Sequence, residues 1–497
     1  MEHASQILPK LPIEVWERVM DHLWEDYPEL LACSLVCTAW RPRSRFHLLS
    51  RALLQSRADV YRLSRNLKSL NGLRDQIHTL IIRGDRTETT RKPIPYLGTL
   101  ATVLAGNPPH AEELGLWHAC WRDIPDDTFL HLTTFVTVTK LTLAWVTFPN
   151  VLTFGRLVFA LPSLETLACR DVSFEKKGPP ATFHHQPTQI IDFDMLCGTP
   201  MDDVIDFVVE TGYVAHGLEE LHVAWWDPAP LLKELKALRV KSILQAASDS
   251  LLLFDIRLGG ITLDPAETSN AIDELDLSRN TKLTELRLTL HNSKGSPEHT
   301  PVHPCTWLHA LLTTITSKEL AYLTIEFDVR DLDRGGDHDA ALDIIAQLLT
   351  PEVASAIDAL FAGEQFQGLE SVYLGVFCAR QGVLVDEEAW ARVVRGRFPA
   401  LNVRGILHTS SSVSISRLHL ANHTSRVEPS KQTMAPYMKA AQRKQRTAAN
   451  VDNERRLRIA KTSKEPPSIT QPHPTPNDTA SMVSCTPYLL VLATLRS

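Results

Sequence analysis

The apolar positions along this chain change their spacing twice. In the first fifty residues they recur at helical intervals. Val15, Val19 and Leu23 stand four residues apart with Trp16 and Met20 beside them, which places one wide apolar stripe on a helix. Leu11-Pro12-Ile13-Glu14 opens that helix. Proline suits the first turn because its missing N–H would have no partner there, and Glu14 meets the positive end of the helix dipole. A second helix is predicted from Pro28-Glu29 through Leu30, Leu31 and Leu35, and a third begins just before Pro42 and carries Trp40. Three short helices over ~40 residues make a unit too small to bury all of its apolar side chains, so a partner is expected to cover the surplus.

From residue 77 the pattern becomes apolar, two others, apolar, one other, apolar. It appears at Ile77–Ile82, Ala111–Leu116, Val138–Leu143, Leu164–Cys169, Leu218–Val223, Leu253–Leu258, Leu283–Leu288, Leu320–Ile325 and Leu369–Leu374. The start-to-start gaps run from 26 residues (138 to 164) to 54 (164 to 218), and the widest has room for a further copy or an insertion. The last two apolar positions of each copy alternate on a short strand and face a core, and the first packs at the strand entry. One such unit cannot bury its apolar side alone, so the units are predicted to stack into a curved parallel sheet. Helices fill the intervals. Thr199-Pro200-Met201-Asp202-Asp203 and Thr350-Pro351-Glu352 both read as an N-cap, a first-turn proline and carboxylates near the positive helix end, and Val204, Ile205, Val208 and Val209 continue the first of these helices. A compact α/β domain with parallel strands shares this alternation and remains the alternative. In a stacked sheet the residues between the apolar positions share the concave face: Glu113, Trp117, Lys140, Arg170, His222, Arg257, Arg287, Tyr322 and Tyr373. Concave faces of this kind hold large partners, and Arg, Trp and Tyr are frequent interface anchors. For any one of them a solvated strand residue is the competing reading.

Beyond Thr409 the periodicity fades. Ser410-Ser411-Ser412 opens a polar stretch, and residues 466–477 are rich in Pro, Thr and Ser, the composition of a disordered tail. Within it a basic block from Lys431 to Lys464, including Arg443-Lys444-Gln445-Arg446 and Arg455-Arg456-Leu457-Arg458, reads as an import signal, a weak nucleic-acid contact or a solvated basic segment. The run from Tyr488 to Leu495 is too short to span a bilayer. The predicted organisation is a helical unit over 8–55, a repeat body over 56–407 and a tail over 408–497.

Composition adds limits. Hydrophobic residues make up 44% and charged residues 22%, which supports a folded chain. A formal net charge of −7 gives no whole-chain affinity for nucleic acid. Eight scattered cysteines predict reduced core thiols, Cys33 and Cys37 among them, and a cytoplasmic or nuclear setting. No apolar stretch suits a membrane helix, and Met1 to Lys10 carries no secretory signal. No phosphate-cradling glycine loop and no Gly-x-Ser-x-Gly elbow occurs. His299 and His303, with Cys305 nearby, sit among prolines without a fourth ligand. His184-His185 reads as surface and Asp337-His338-Asp339 as a helix cap. No catalytic residue, metal or cofactor is expected, and an interaction protein is favoured over an enzyme.

The opening segment also carries a resemblance. Leu11-Pro12-Ile13-Glu14-Val15-Trp16-Glu17-Arg18-Val19-Met20-Asp21-His22-Leu23, followed by Leu31-Ala32-Cys33-Ser34-Leu35-Val36-Cys37-Thr38-Ala39-Trp40-Arg41, resembles an F-box. The marks are the leading Leu-Pro pair, the Leu-Val-Cys block and the Trp three residues after it; Trp24-Glu25-Asp26-Tyr27 and Trp40-Arg41-Pro42 are similar to fungal versions. The body resembles the leucine-rich repeat region found behind many F-boxes, although the Asn or Cys usual after the last strand leucine is mostly missing. The resemblance implies that Leu11, Pro12, Val15, Leu23, Leu35, Val36 and Trp40 contact the Skp adaptor of a cullin–RING ubiquitin ligase. It further implies that Trp117, Arg170, His222, Arg257, Arg287, Tyr322 and Tyr373 face a protein substrate. A scaffold without ligase work, or a nucleic-acid-associated protein acting through the basic tail, are the alternatives.

Overall fold

The computed structural model describes residues 11–413 except 25, 71, 85, 88–89, 92, 95, 123, 177–189, 198–200, 216, 226–234, 237–238, 260–264, 292–304, 329–341, 343–344 and 379–385. The tail with its basic block, the His299–His303 and His184-His185 pairs, Asp337-His338-Asp339 and the Thr199-Pro200 cap lie outside the described residues. No helix among the described residues is long and apolar enough to cross a membrane.

Three helices open the chain: α1 (Ile13–His22), α2 (Tyr27–Val36) and α3 (Arg41–Ser50). Pro12 sits just ahead of α1, and Pro28 and Pro42 occupy first-turn positions of α2 and α3, where a missing N–H leaves no bond unmade. Both α1 and α2 pack on α3. Helix α3 passes without a linker into the first strand, β1 (Arg51–Leu54), so the sheet begins inside the stretch read as the helical unit.

The strands are β2 (Thr79–Arg83), β3 (Arg86–Thr87), β4 (Thr90–Arg91), β5 (Glu113–Cys120), β6 (Lys140–Phe148), β7 (Thr166–Arg170), β8 (Ser173–Phe174), β9 (Asp192–Cys197), β10 (Glu220–Trp225), β11 (Leu253–Gly259), β12 (Glu285–His291), β13 (Tyr322–Asp328), β14 (Ser371–Cys378) and β15 (Leu407–Val413). Strands β3 and β4 form a small antiparallel ribbon, and β8 adds a short pairing to β6. The remaining strands line up in chain order, from β1 through β2, β5, β6, β7 and β9 to β15, and every neighbouring pair is parallel. A doubly wound domain reverses its strand order at a switch point. No reversal occurs among the described strands, so successive βα units add in chain order, unlike those of a doubly wound domain.

The step from one unit to the next is a repeated hydrogen-bond motif. The carbonyl just ahead of a strand accepts two successive N–H groups of the following unit: His78 O from Glu112 and Glu113, Glu112 O from Thr139 and Lys140, Thr139 O from Glu165 and Thr166, and onward to Ala321 O from Glu370 and Ser371. Alternate strand residues then point to one face, where Leu80, Leu114, Leu141, Leu167, Leu221, Leu286 and Leu323 join a single core with helix residues such as Leu100, Phe154, Val204 and Ile243. Successive helices contact one another in chain order. The opposite face of the sheet is the open one.

All nine sequence copies fall on strands. The widest gap holds a tenth: Ile190, Phe193 and Met195 repeat the spacing and are fully buried on and ahead of β9. The copy placed at Leu253–Leu258 is corrected. Pairing sets Leu253 beside Glu220 and Glu285, on the open face, and the core-facing residues are Leu251, Phe254 and Ile256. The run Leu251-Leu252-Leu253-Phe254 allows two readings two residues apart, and only the ladder decides between them.

Local capping follows its chemistry. Thr350 accepts the Val353 N–H at 3.4 Å ahead of the helix Pro351–Phe361. The helix Asp202–Glu210 has Met201 at its N-cap position, without a side-chain cap bond. Near the far end, the buried Asp358 carboxylate accepts the N–H groups of Ala400 and Leu401 at 2.9 and 3.1 Å. Arg404 reaches the carbonyls of Phe361, Phe366 and Leu369. Strand β15 runs on to Val413, past the 407 given by repeat spacing.

The register makes a sharp prediction. Leu251→Ala is expected to destabilise the protein by ~2–5 kcal/mol, the range for a buried leucine, whereas Leu253→Ala should change it by less than ~1 kcal/mol. Chemical denaturation of the two variants side by side checks it, and equal losses would move the register.

Candidate interaction surfaces

The helical unit holds itself together with little. Met20 and Leu30 are buried, and Ser44 on α3 donates to the Met20 sulfur at 3.1 Å. The Trp16 and Trp40 rings meet at 4.7 Å between centroids. Asp21 receives two bonds from Arg43, at 2.5 and 2.8 Å, and one contact from His47 at 2.8 Å. The Arg43 guanidinium holds the Asp21 carboxyl down to about 2, against a smaller opposing effect of burial and with help from His47. This network pins α1 to α3.

Apolar side chains are left over. Of the seven residues assigned to adaptor binding, Leu11, Pro12, Val15, Leu35 and Val36 are exposed, Leu35 at 79% and Val36 at 62%. Leu23 and Trp40 are half-buried within the unit. Val19 and Trp24 add to the exposed apolar set. One correction falls here. Cys37 is exposed and Cys33 half-buried, so neither is a core thiol, whereas Cys120, Cys169 and Cys305 are. Helix α2 is apolar nearly all round, and its spacing does not reveal which side faces inward.

The open face carries the second set. Trp117, Arg170, His222, Arg257, Arg287, Tyr322 and Tyr373 all occupy strand positions of the same parity, opposite the core. They fall in three groups. Around β5 to β7, the Arg170 guanidinium lies 4.1 Å from the Trp145 ring centre, His118 stacks on Trp145 at 4.5 Å, and Arg51 reaches over Trp117 at 5.3 Å. Gly115 leaves room for the Trp117 indole; a Cβ there would sit 3.3 Å from its nitrogen. At β13 and β14, Tyr322 donates to Glu370 at 2.9 Å, and Tyr373 is bonded to Ser410 above Gly375. Between these lie His222, Arg257 and Arg287. At ~4.8 Å per strand step, the seven span roughly 38 Å along the sheet, so the structure does not bring them to one point.

The middle group is the most charged. Asp192 and Glu220 are cross-strand neighbours, and the next row reads Asp194, His222, Asp255, Arg287. His222 lies 3.5 Å from Asp255, 3.6 Å from Glu220 and 3.8 Å from Asp192. Arg257 lies 3.8 Å from Asp255, and Arg287 pairs with Glu285 at 2.6 Å. Burial favours the neutral imidazole, but the nearby Asp255 and Glu220 carboxylates outweigh it and lift His222 to about 10. Burial also opposes ionisation of Asp255, yet His222 and Arg257 hold its pKa below the ordinary carboxylate value. Burial, with Asp194 beside it, pushes Asp192 up to about 6. Glu326, which accepts from Thr289 at 3.3 Å, is raised by burial to about 7.

The carboxylates of this group were not among the sequence candidates. Asp192 and Asp194 flank Phe193 in the tenth repeat copy, and the Ile190, Phe193, Met195 spacing was the signal that marks them. Their meeting with His222 depends on cross-strand register, which no single strand encodes. In comparisons with known proteins, no family model matches the chain and no curated protein matches it.

Glu326 supplies a pH prediction. Its folded-state pKa lies above the ordinary value of 4.5. Its contribution to stability is therefore complete below that value and is lost as the pH rises through about 7. Glu326→Gln, neutral throughout, is expected to raise the thermal midpoint relative to the wild type at pH 8 and to leave it nearly unchanged at pH 5. A midpoint gain that is the same at both pH values would contradict the assignment.

Proposed function

We propose that this chain is the substrate-recognition subunit of a Skp–cullin–F-box type ubiquitin ligase. In this reading α1 to α3 form an F-box that docks the Skp adaptor, and the stacked sheet is an irregular leucine-rich repeat body whose open face holds a protein target. The observation that carries the reading is the exposure of Leu11, Val15, Leu35 and Val36 on the segment that resembles the F-box. These helices spend their buried side chains on α3 and leave their remaining apolar side chains to solvent, a surface that association would cover. Each such Leu or Val is worth ~1.5–3 kcal/mol when fully buried. The chain supplies position rather than bond-making: a target held beside the ubiquitin-loaded enzyme meets it at high effective concentration. A partner spread along the open face would use the aromatic and cationic groups at β5 to β7 and the charged group at β9 to β12.

Affinity capture of the full chain tests this. The Skp adaptor and cullin should be recovered with the wild type. Leu35→Asp with Val36→Asp should lose them by at least ~10-fold, since removing even ~1.4 kcal/mol has that effect. Both side chains are exposed, so the variant should melt like the wild type. Arg287→Ala should retain the adaptor. Equal recovery with the Leu35/Val36 variant would overturn the reading.

A further inference from the structure

We infer that Asp192, Glu220 and His222 form a binding site for a divalent first-row cation on the open face of the sheet, with zinc the best match. Each residue offers one ligand atom, and these atoms lie within 4.8 Å of one another. His222 Nε2 stands 3.8 Å from Asp192 Oδ1 and 3.6 Å from Glu220 Oε2. Both separations exceed a hydrogen bond. Both are close to the ~3.3–3.5 Å edge of a tetrahedron built on zinc–ligand distances of ~2.0–2.2 Å. Movements of a few tenths of an ångström would close these two edges, and the third, between the Asp192 and Glu220 carboxylates, lies within 4.8 Å.

Three further observations point to a cation. Asp192 Oδ1 is shut off from solvent and has no hydrogen-bond partner. Its charged neighbour is the His222 ring, whose Nε2 stands 3.8 Å away, too far for a hydrogen bond; a cation held between the two, in place of the ring proton, would satisfy the oxygen directly. Asp192 and Glu220 stand directly opposite each other on adjacent strands, where like charges repel and a shared ion turns the repulsion into attraction. The other nitrogen of His222, Nδ1, faces the buried Asp255 carboxylate at 3.5 Å. Metal-binding histidines are characteristically oriented by such a carboxylate on the far nitrogen.

The donor set narrows the ion. One imidazole and two carboxylates without thiolate suit zinc and its first-row neighbours. Calcium takes six or more oxygens and magnesium a near-ideal octahedron, both more than this group supplies. Half of the Glu220 side chain is exposed, so an ion can enter from the open face, and a fourth position stays available for water or a partner's side chain. The inference stands apart from the ligase reading, because it uses no residue of α1 to α3.

Full-length protein stripped with a chelator and titrated calorimetrically with zinc tests it. One equivalent should bind at micromolar or tighter affinity and raise the thermal midpoint. Glu220→Gln and His222→Ala should each remove that step, and Asp255→Asn should weaken it by ~10–100-fold. Glu220 is half-exposed, so Glu220→Gln keeps the test decisive if His222→Ala fails to fold. Cobalt in place of zinc should give the visible spectrum of a four-coordinate nitrogen–oxygen site. No binding, an unchanged isotherm in Glu220→Gln, or a thiolate-to-cobalt band that places the ion on cysteine would each overturn the inference.

Discussion

The repeat body depends on one small interaction, the carbonyl ahead of each strand that takes two N–H groups from the next unit. It fixes where each strand starts relative to its neighbour. With the start fixed, position after position lines up across the sheet: Thr79, Glu113, Lys140, Thr166, Asp192 and Glu220 form one row on the open face. A slip of a single residue would turn every core leucine outward. The apolar face therefore enforces the register, and the register in turn composes the polar face. The meeting of Asp192, Glu220 and His222 is a by-product of leucines packing on the other side.

The ladder departs from this regularity in one column. His118, Trp145 and Asp171 take left-handed backbone conformations, with φ of 52°, 55° and 49°. Each costs ~1–2 kcal/mol in a residue with a Cβ. They are equivalent positions, just after Trp117, Ala144 and Arg170, and the β5–β6 pairing skips His118 and Trp145 before resuming at Ala119 and Val146. The stacking of His118 on Trp145 and of Arg170 over the same ring offsets part of the strain. Gly84 answers the same crowding from the next strand, because a Cβ there would lie 2.1 Å from the His118 carbonyl oxygen. Repetition of strain at equivalent sites marks a built bulge, and it turns an aromatic and cationic patch toward the open face.

Much of the architecture was legible because leucine spacing and strand geometry share a period. Ile77–Ile82, Leu164–Cys169 and Leu283–Leu288 each fall on a strand at the expected place. The failures have definite causes. Strand β9 carries aspartates on both sides of Phe193 and looks too polar for a core strand, although only alternate residues need be apolar. Leu251 to Phe254 is so continuously apolar that it conceals its own register. Helix α2 is apolar on nearly every side, so Cys33 and Cys37 could not be sorted into inside and outside. The separate residues His222, Arg257 and Arg287 were found, but not their neighbours, because a cluster formed across strands is a property of pairing rather than of any segment.

Helix α3 joins the two surfaces. On one side it receives α1 and α2 through Met20, Ser44 and the Asp21–Arg43–His47 network. On the other, Leu49 belongs to the core of the repeat body, and Ser50 is followed at once by the first residue of β1. No flexible residues intervene, so a partner seated on α1 and α2 would be held at a set orientation to the sheet. In the adaptor role proposed above, which works by placing one bound protein near another, this would matter more than affinity. A loose hinge would dilute the effective concentration at the reacting groups, whereas a continuous helix-to-strand junction preserves it. The same continuity explains why so small a helical unit keeps its shape with two bare apolar helices: it borrows one wall from a much larger core.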